Sequence, residues 1–125
     1  MTISIEVSDH DDHLMMTLEG DLPLTDPDAL AELLAERCAH SDAPVILIDI
    51  SNFSIRANPG AMYQLAVSKQ KHCTHLSRPI ALVGQRAQWA EDYALMASNR
   101  GSAVHLFDDM GPARSWASSY AQQHQ

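Results

Sequence analysis

The chain has 125 residues and a formal net charge of −8, and its length suits one domain with an ordinary core, which we place at residues 1–125. The acidic balance disfavours general binding to nucleic acids or anionic membranes, since both need a cationic surface. Two cysteines are too few for a disulfide framework, and no apolar run approaches the about 20 residues of a bilayer span, so we expect a cytoplasmic protein without a transmembrane segment.

The N-terminal third of the chain predicts a β-hairpin followed by a helix. Apolar and polar residues alternate over residues 3–7 and again over residues 14–18, on both sides of the turn sequence SDHDDH. Helix-start residues follow at Thr25–Asp28, and apolar side chains from Leu30 to Cys38 recur at helical spacing. We therefore expect two antiparallel strands and then a first helix.

A central strand is predicted next. The run from Val45 to Ile50 is apolar and rich in β-branched residues, which is typical of a strand covered on both faces. Asp49 interrupts it near its carboxyl end, and we expect its carboxylate to reach loop amides or a nearby base. In open α/β sheets, ligands and partners bind just beyond the carboxyl ends of the strands. Asp49 and the predicted loop at residues 51–60 therefore occupy the expected functional position.

The second half of the chain alternates helices and strands. Asn58 and Pro59 suit a helix cap and a first helical position, so a second helix is expected to run to about His72. The later predicted elements are a strand at 80–83, a helix at 89–99, a strand at 103–107 and a last helix at 112–120. Strands separated by helices favour parallel crossovers. The expected fold class is therefore α/β, with a mixed five-stranded sheet, an N-terminal β-hairpin and about four helices.

Charge is distributed unevenly along the chain. Residues 1–55 contain one base and twelve acids, a net charge of −11, whereas residues 56–125 contain seven bases and four acids, a net charge of +3. Arg56, Lys69 and Lys71 fall on or beside the predicted second helix. Solvated surface charges explain such a pattern, and a cationic recognition surface on this helix is the alternative.

No motif for catalysis or cofactor binding is present. The sequence has no Walker-type loop, dinucleotide fingerprint, zinc-ligand spacing or nucleophile elbow. The ligand-type side chains at His10–His13 lie in the predicted hairpin turn, where aspartates commonly bond to local backbone. We therefore expect no catalytic residue, no metal and no cofactor, in a protein that is not an enzyme.

The segment Asp49–Ala61 resembles the loop motif of bacterial STAS domains, the module of anti-sigma-factor antagonists and sulphate transporters. That motif is D-[LIV]-S-x-[VIL]-x-x-[ILM]-D-S-[ST]-G-[LA], and this sequence matches its start at Asp49–Ser51 and its end at Gly60–Ala61. Ala57 replaces the family's aspartate, and Asn58 replaces its phosphorylatable serine. Two later stretches, RPIALVG and VHLFD, are also similar to the SpoIIAA-like branch of this superfamily.

The resemblance implies the α/β fold expected above and a non-enzymatic regulatory or scaffolding module. Its implied partner is another protein, such as an anti-sigma-factor-like kinase or another STAS partner, bound through the strand-to-helix loop 52–61 and the following helix. Asn58 has no hydroxyl to accept a phosphoryl group, so the module would lack the family's switch. The residues expected to bind the partner are Asn52, Ser54, Arg56, Asn58, Gly60, Met62, Lys69 and Lys71.

A carrier or sensor of a small apolar ligand or lipid, with reversible membrane association, is the alternative function. The side chains that would line its site are Met62, Tyr63, Leu65, Trp89 and Met96. An apolar cavity of roughly 300 Å3 or more beside the second helix would favour this carrier. A filled core with an exposed apolar patch would favour the protein-binding module. A homodimer is compatible with either function.

Overall fold

The computed structural model describes residues 3–23, 25–56, 60–65, 78–84, 87–99 and 103–123. In chain order, the elements are β1 (Ser4–Asp9), β2 (Leu14–Pro23), α1 (Pro27–Cys38), β3 (Ile46–Arg56), α2 (60–65), β4 (Ile80–Val83), α3 (Gln88–Asn99), β5 (Val104–Phe107) and α4 (Met110–Gln123). No described helix has both the length and the apolar composition needed to cross a bilayer.

The described strands form one mixed sheet in the order β1-β2-β3-β4-β5. β1 pairs with β2 in the antiparallel sense, as in the predicted hairpin, and β2, β3, β4 and β5 run parallel to one another. Parallel neighbours cannot be joined by tight turns, and helices accordingly separate β2 from β3 and β4 from β5. The α/β fold class and the mixed five-stranded sheet expected from the sequence are confirmed.

Most predicted elements coincide with observed ones. The strand expected at 80–83 is β4, and the helix and strand expected next match α3 and β5 to within one residue. The side chain of Asp26 caps α1 by accepting a hydrogen bond from the Ala29 amide at 3.1 Å, and Pro27 occupies the first turn. α4 starts two residues earlier than expected, so Pro112 lies in its first turn, where a missing N–H costs no helical hydrogen bond.

Two hydrophobic layers cover the two faces of the sheet. On one face, α1, α2 and α3 pack against Ile46, Ile48 and Ile50 of β3. On the other face, alanines of α4 pack against a second cluster that contains Leu47. Because alternate β3 side chains enter different layers, this part of the strand is buried on both faces, as its continuous apolar sequence predicts.

β3 extends beyond the strand that the sequence predicts. It runs from Ile46 to Arg56, so residues 51–56 of the expected loop are strand residues, paired in parallel with the end of β2. In this stretch the buried residues Phe53 and Ile55 alternate with more exposed polar residues. The prediction of a loop there is wrong, because polar residues at alternate positions suit a strand with one solvated face.

A β-bulge separates the two halves of β3. The register with β2 shifts by one residue, so that Ile50 and Ser51 both lie opposite Leu18. Ile50 and Phe53 are three positions apart, and yet both reach the layer formed by α1, α2 and α3. Without the shift, strict alternation would send Phe53 to the opposite face of the sheet.

Arg78 ties the end of α1 to the start of β3. Its guanidinium donates hydrogen bonds to the carbonyl oxygens of Cys38, Ser41 and Ala43, each at 2.9 Å. Cys38 is the last residue of α1, and the other two residues lie in the connection to β3. One planar cation with several donors therefore fixes the path between two core elements.

Ile48→Ala tests the double burial of β3. Ile48 is 5% exposed, so truncation should lower the free energy of unfolding by about 2 to 5 kcal/mol through lost burial and a residual cavity. Leu95→Ala on α3 is the control, because Leu95 is 63% exposed and its truncation should change stability by less than about 0.5 kcal/mol. Urea denaturation followed by circular dichroism measures both. A loss under about 1 kcal/mol for Ile48→Ala would place this residue outside the core.

Candidate functional site

The carboxyl-terminal ends of β2 and β3 carry a polar sheet face. Phe53 and Ile55 enter the core, so the polar residues that alternate with them point to the opposite side of the sheet. The α4 layer on that side contains Leu47, but its described members include none of residues 52–56. The polar face includes Asp21, Asn52, Ser54 and Arg56, and the exposed Glu19 of β2 lies opposite Asn52 on the same face.

Asp21 organises the polar face. One of its carboxylate oxygens accepts a hydrogen bond from the Ser54 hydroxyl at 2.8 Å, and the other lies 3.2 Å from Nε of Arg56. Both charged side chains are at least half exposed, so this ion pair contributes at most about 1 kcal/mol to stability. Its main effect is positional, because the carboxylate orients both neighbours and offsets the charge of Arg56.

Asp49 and Ser51 form a second polar contact, at the bulge. Oδ1 of Asp49 accepts hydrogen bonds from the Ser51 amide at 2.9 Å and from the Ser51 hydroxyl at 2.7 Å. The carboxylate therefore reaches a backbone amide, as the sequence predicts, although this amide belongs to the bulged strand. The bond supplies a partner for a donor at the point where the ladder with β2 is interrupted.

Gly84 is required by the close approach of β4 to this contact. Its φ is +120°, in a region that side chains rarely adopt. A Cβ at this position would collide with the Ser51 hydroxyl oxygen and lie 3.0 Å from the Ser51 amide nitrogen. Backbone conformation and space therefore both demand glycine at the end of β4.

The start of α2 presents an aromatic side chain to solvent. Gly60 is exposed and Tyr63 is 51% exposed, whereas Leu65 is buried. Met62, which the sequence places among the partner-binding residues, is 1% exposed and lies in the core, where it positions the helix. Three further residues expected to bind the partner lie outside the described residues, namely Asn58, Lys69 and Lys71.

A small apolar cavity lies between the sheet and the helices α1, α2 and α3. Its volume is about 50 Å3, and its lining includes Phe53, Leu65, Trp89 and Tyr93. Trp89 packs edge to face against Phe53, with ring centroids 5.7 Å apart, and its buried Nε1 has no hydrogen-bond partner among the described residues. Sites for drug-sized ligands measure about 300 to 1,000 Å3, so this cavity does not favour a lipid carrier.

The five residues expected to line a ligand site do not form one pocket. Leu65 and Trp89 line the cavity, whereas Met62 lies elsewhere in the same core. Met96 is half-buried against that core, and Tyr63 faces solvent. The structure therefore distributes these side chains between cavity, core and surface.

The hairpin turn between β1 and β2 is held by local contacts. The rings of His10 and His13 stack with centroids 4.6 Å apart, and Nδ1 of His13 lies 2.7 Å from a carboxylate oxygen of Asp12. In the part of the chain that the structure describes, no group of three or more His, Cys, Asp or Glu side chains is placed to hold a metal ion.

Sequence reasoning misses residues of β2 and β4 at this site, including Asp21 and Gly84. Asp21 is brought to Ser54 by the parallel register of β2 and β3, which pairs the two residues directly. Alternation of polar and apolar residues over 52–56 signals the longer strand, but no local pattern reveals its register. Gly84 directly follows the strand predicted at 80–83, but its contact with Ser51 depends on the packing of two strands.

Comparisons with known proteins bear on the fold. No family model and no curated protein matches the sequence. An anti-sigma factor antagonist from Mycobacterium paratuberculosis aligns with a TM-score of 0.62 at 17% identity, covering 93% of this chain and 94% of its own. An uncharacterized DUF3478-family protein from Shewanella loihica, with a SpoIIAA-like fold, aligns with a TM-score of 0.58 at 22% identity, covering 92% and 93%. An RsbS variant from Moorella thermoacetica aligns with a TM-score of 0.58 at 17% identity, covering 94% and 97%.

These alignments establish the fold. They extend over more than nine-tenths of each chain, and all three reach TM-scores above 0.5. The chain therefore has the SpoIIAA-like, STAS-type architecture, and the fold implied by the motif at Asp49–Ala61 is confirmed.

Gly84→Ala tests the contact between β4 and the bulge. The positive φ alone should cost about 1 to 2 kcal/mol of stability, and the collision with the Ser51 hydroxyl should add to that loss. Adding Ser51→Ala to this variant should recover part of the loss, because it removes the colliding oxygen. Thermal or urea unfolding of the two single variants and the double variant measures the coupling.

Gly111→Ala is the matched control for this prediction. Gly111 lies in α4 without a positive φ, and a Cβ there would meet no atom within 4 Å. The substitution should leave stability unchanged or raise it by up to about 1 kcal/mol. Equal stability of the Gly84→Ala and Gly111→Ala variants would show that β4 does not require glycine at its end.

Proposed function

We propose that the chain is a single non-enzymatic regulatory or scaffolding module that binds a partner protein through residues 52–61 and the helix that follows. The polar face at the end of β3 is the observation that carries this proposal. It lies at the carboxyl end of a parallel strand, where open α/β sheets bind their ligands and partners, and Tyr63 is exposed on the next helix. The fold likeness to an anti-sigma factor antagonist and to RsbS supports a role in regulation through protein contacts.

Rigid presentation supports partner binding by this face. Asn52, Ser54 and Arg56 lie on a paired strand, and Asp21 already holds two of them, so binding would immobilise few additional side chains. Tyr63 offers a large aromatic surface with few rotatable bonds, a property shared by residues that dominate protein interfaces.

The charge recognised by the partner is assigned in this proposal to Lys69 and Lys71. Arg56 lies beside Asp21, which offsets its charge. Residues 50–90 contain no aspartate or glutamate, so no carboxylate close in sequence offsets the two lysines. A partner with an acidic contact surface would gain association rate from this segment.

Phosphorylation is not the switch in this proposal. Asn58 has no hydroxyl, and the two nearby serines already donate hydrogen bonds to carboxylates, Ser51 to Asp49 at 2.7 Å and Ser54 to Asp21 at 2.8 Å. A phosphate on either serine would place about −1.5 to −2 charges beside a carboxylate, which is unfavourable. The module is therefore proposed to bind constitutively or to be controlled by another signal.

Crosslinking that identifies the partner, followed by charge reversal, tests the proposed partner-binding surface. A photo-crosslinking amino acid at Tyr63, compared with one at the similarly exposed Leu95, identifies the protein that contacts α2 in cells. Lys69→Glu with Lys71→Glu should then slow association with that protein strongly at low salt and less at high salt, because exposed charges act within about 8 to 10 Å. Stopped-flow or surface plasmon resonance at two salt concentrations measures the rate.

The control reverses two acids of the hairpin, Asp9 and Asp11, and should hardly change association with this protein. Equal losses of association rate from the two pairs would show that the effect comes from net charge and not from a specific surface. A larger loss from the hairpin pair would place the contact at the opposite end of the sheet and contradict the proposed surface.

Asn58→Ser tests the absence of a phosphorylation switch. With ATP and a purified anti-sigma-type kinase, the wild-type chain should gain no phosphate, whereas the variant supplies the missing hydroxyl. Mass spectrometry locates any phosphate, and modification of Ser51 or Ser54 in the wild type would overturn the idea of an unswitched module. The variant should fold normally, because serine and asparagine cap helices about equally, and a stability loss above about 1 kcal/mol would reveal another role for Asn58.

A further inference from the structure

β1 forms an open edge of the sheet. It is the outermost strand, and within the described residues the strand it pairs with is β2. Its sequence, SIEVSD, has no proline and no lysine, and its register with β2 runs without a shift from Ser4 to Asp9. Natural sheets commonly block their edges with such residues or with a bulge. β1 instead carries two negative charges, Glu6 and Asp9, which repel acidic strands and attract basic ones.

The hairpin turn determines which backbone groups of β1 face outward. The His10 amide donates to the His13 carbonyl at 3.0 Å, so these two residues form a hydrogen-bonded pair. Hydrogen-bonded and non-hydrogen-bonded pairs alternate along an antiparallel ladder. Following the register from the turn, the residues whose amide and carbonyl groups point away from β2 are Ile5, Val7 and Asp9.

Val7 adds an apolar contact in the middle of this edge. It is 42% exposed, one of three large hydrophobic residues that are exposed in the described part of the chain. Ile5, on the same face of the sheet, is half-buried against the core. Outward backbone groups beside an exposed apolar side chain are the features that strand addition uses, with main-chain bonds for affinity and side chains for specificity.

Charge selects the kind of strand that fits this edge. Residues 3–23 contain six acidic residues and no lysine or arginine. A second copy of the chain, paired through β1, would bring two such hairpins side by side, and like charges on adjacent strands are destabilising. A strand with lysine or arginine at alternate positions would instead meet Glu6 with opposite charge. We propose that the outer edge of β1 binds an extended cationic segment of a partner protein as a sixth strand.

This surface differs from the polar face. β2 separates β1 from β3, and the outward backbone groups of β1 lie in the plane of the sheet, whereas the polar face lies on one side of it. Both surfaces can therefore be occupied at once, and binding at β1 requires no partner at the polar face.

A synthetic peptide probes the edge directly. Acetyl-TKVKVKT-amide should slow hydrogen exchange at the amides of Ile5, Val7 and Asp9 in the full chain. The amides of Glu6 and Ser8 should keep their exchange rates, because they already donate to β2. Acetyl-TEVEVET-amide should bind at least about tenfold more weakly at low salt, because its charges repel those of the hairpin. Nuclear magnetic resonance measures both exchange and affinity.

Val7→Pro separates strand addition from simple charge attraction. Proline removes the outward amide of residue 7 but none of the β1–β2 hydrogen bonds, and it is tolerated on edge strands with this orientation. The variant should raise the Kd of the lysine peptide by at least about tenfold, whereas Val7→Thr, which keeps the amide, should raise it by less than about threefold. Circular dichroism checks that both variants fold.

Several results would overturn the inference. Unchanged affinity of Val7→Pro for the lysine peptide would show that charge attraction alone explains the binding. Equal binding of the glutamate peptide would show non-specific adsorption. Sedimentation that shows a dimer of the wild type and a monomer of Val7→Pro would assign the edge to a second copy of the chain. If Val7→Pro does not fold, the exchange pattern of the wild type decides: protection confined to Ile5, Val7 and Asp9 supports strand addition, and its absence refutes it.

Discussion

Burial of β3 on both faces is the constraint on which the rest of the structure depends. A strand in the middle of a parallel sheet exposes neither face to water, so helices must cover it from both sides. The helices α1, α2 and α3 cover the face that carries Ile48, and α4 covers the face that carries Leu47. Arg78 then fixes the entry into this strand by binding the carbonyl groups that precede it.

The double burial of β3 ends at its bulge, and the candidate site begins there. Before the bulge both faces are apolar, whereas beyond it Phe53 and Ile55 keep one face in the core while the other is polar. Asp49, Ser51 and Gly84 meet at this boundary, where a carboxylate satisfies an amide and a glycine admits a close approach. One strand therefore contains a part that is buried on both faces and a part with one polar face, which is the part proposed to bind a partner.

The hairpin and the segment that begins with β3 differ in the sign of their charges. The hairpin of β1 and β2 carries acidic side chains without a lysine or arginine, whereas residues 50–90 carry bases without an acid. β2 lies between β1 and β3, so the outer edge of β1 and the β3 residues of the polar face lie on strands that are not neighbours. Under the two proposals, the hairpin edge would attract a cationic partner and the segment with Lys69 and Lys71 an acidic one, because electrostatic steering acts over about one Debye length.

The sequence by itself determined the type and order of nearly all described elements, because caps, breakers and hydrophobic period act between residues that are close in the chain. Asp26 at the start of α1 and the apolar run of β4 are examples, and the motif at Asp49–Ala61 pointed to the correct fold. Tertiary structure alone decided the register of β3 with β2, its bulge, the burial of Met62 and the contact that makes Gly84 necessary. These features depend on the register between strands and on two packed layers, and such long-range alignment leaves no mark on neighbouring residues.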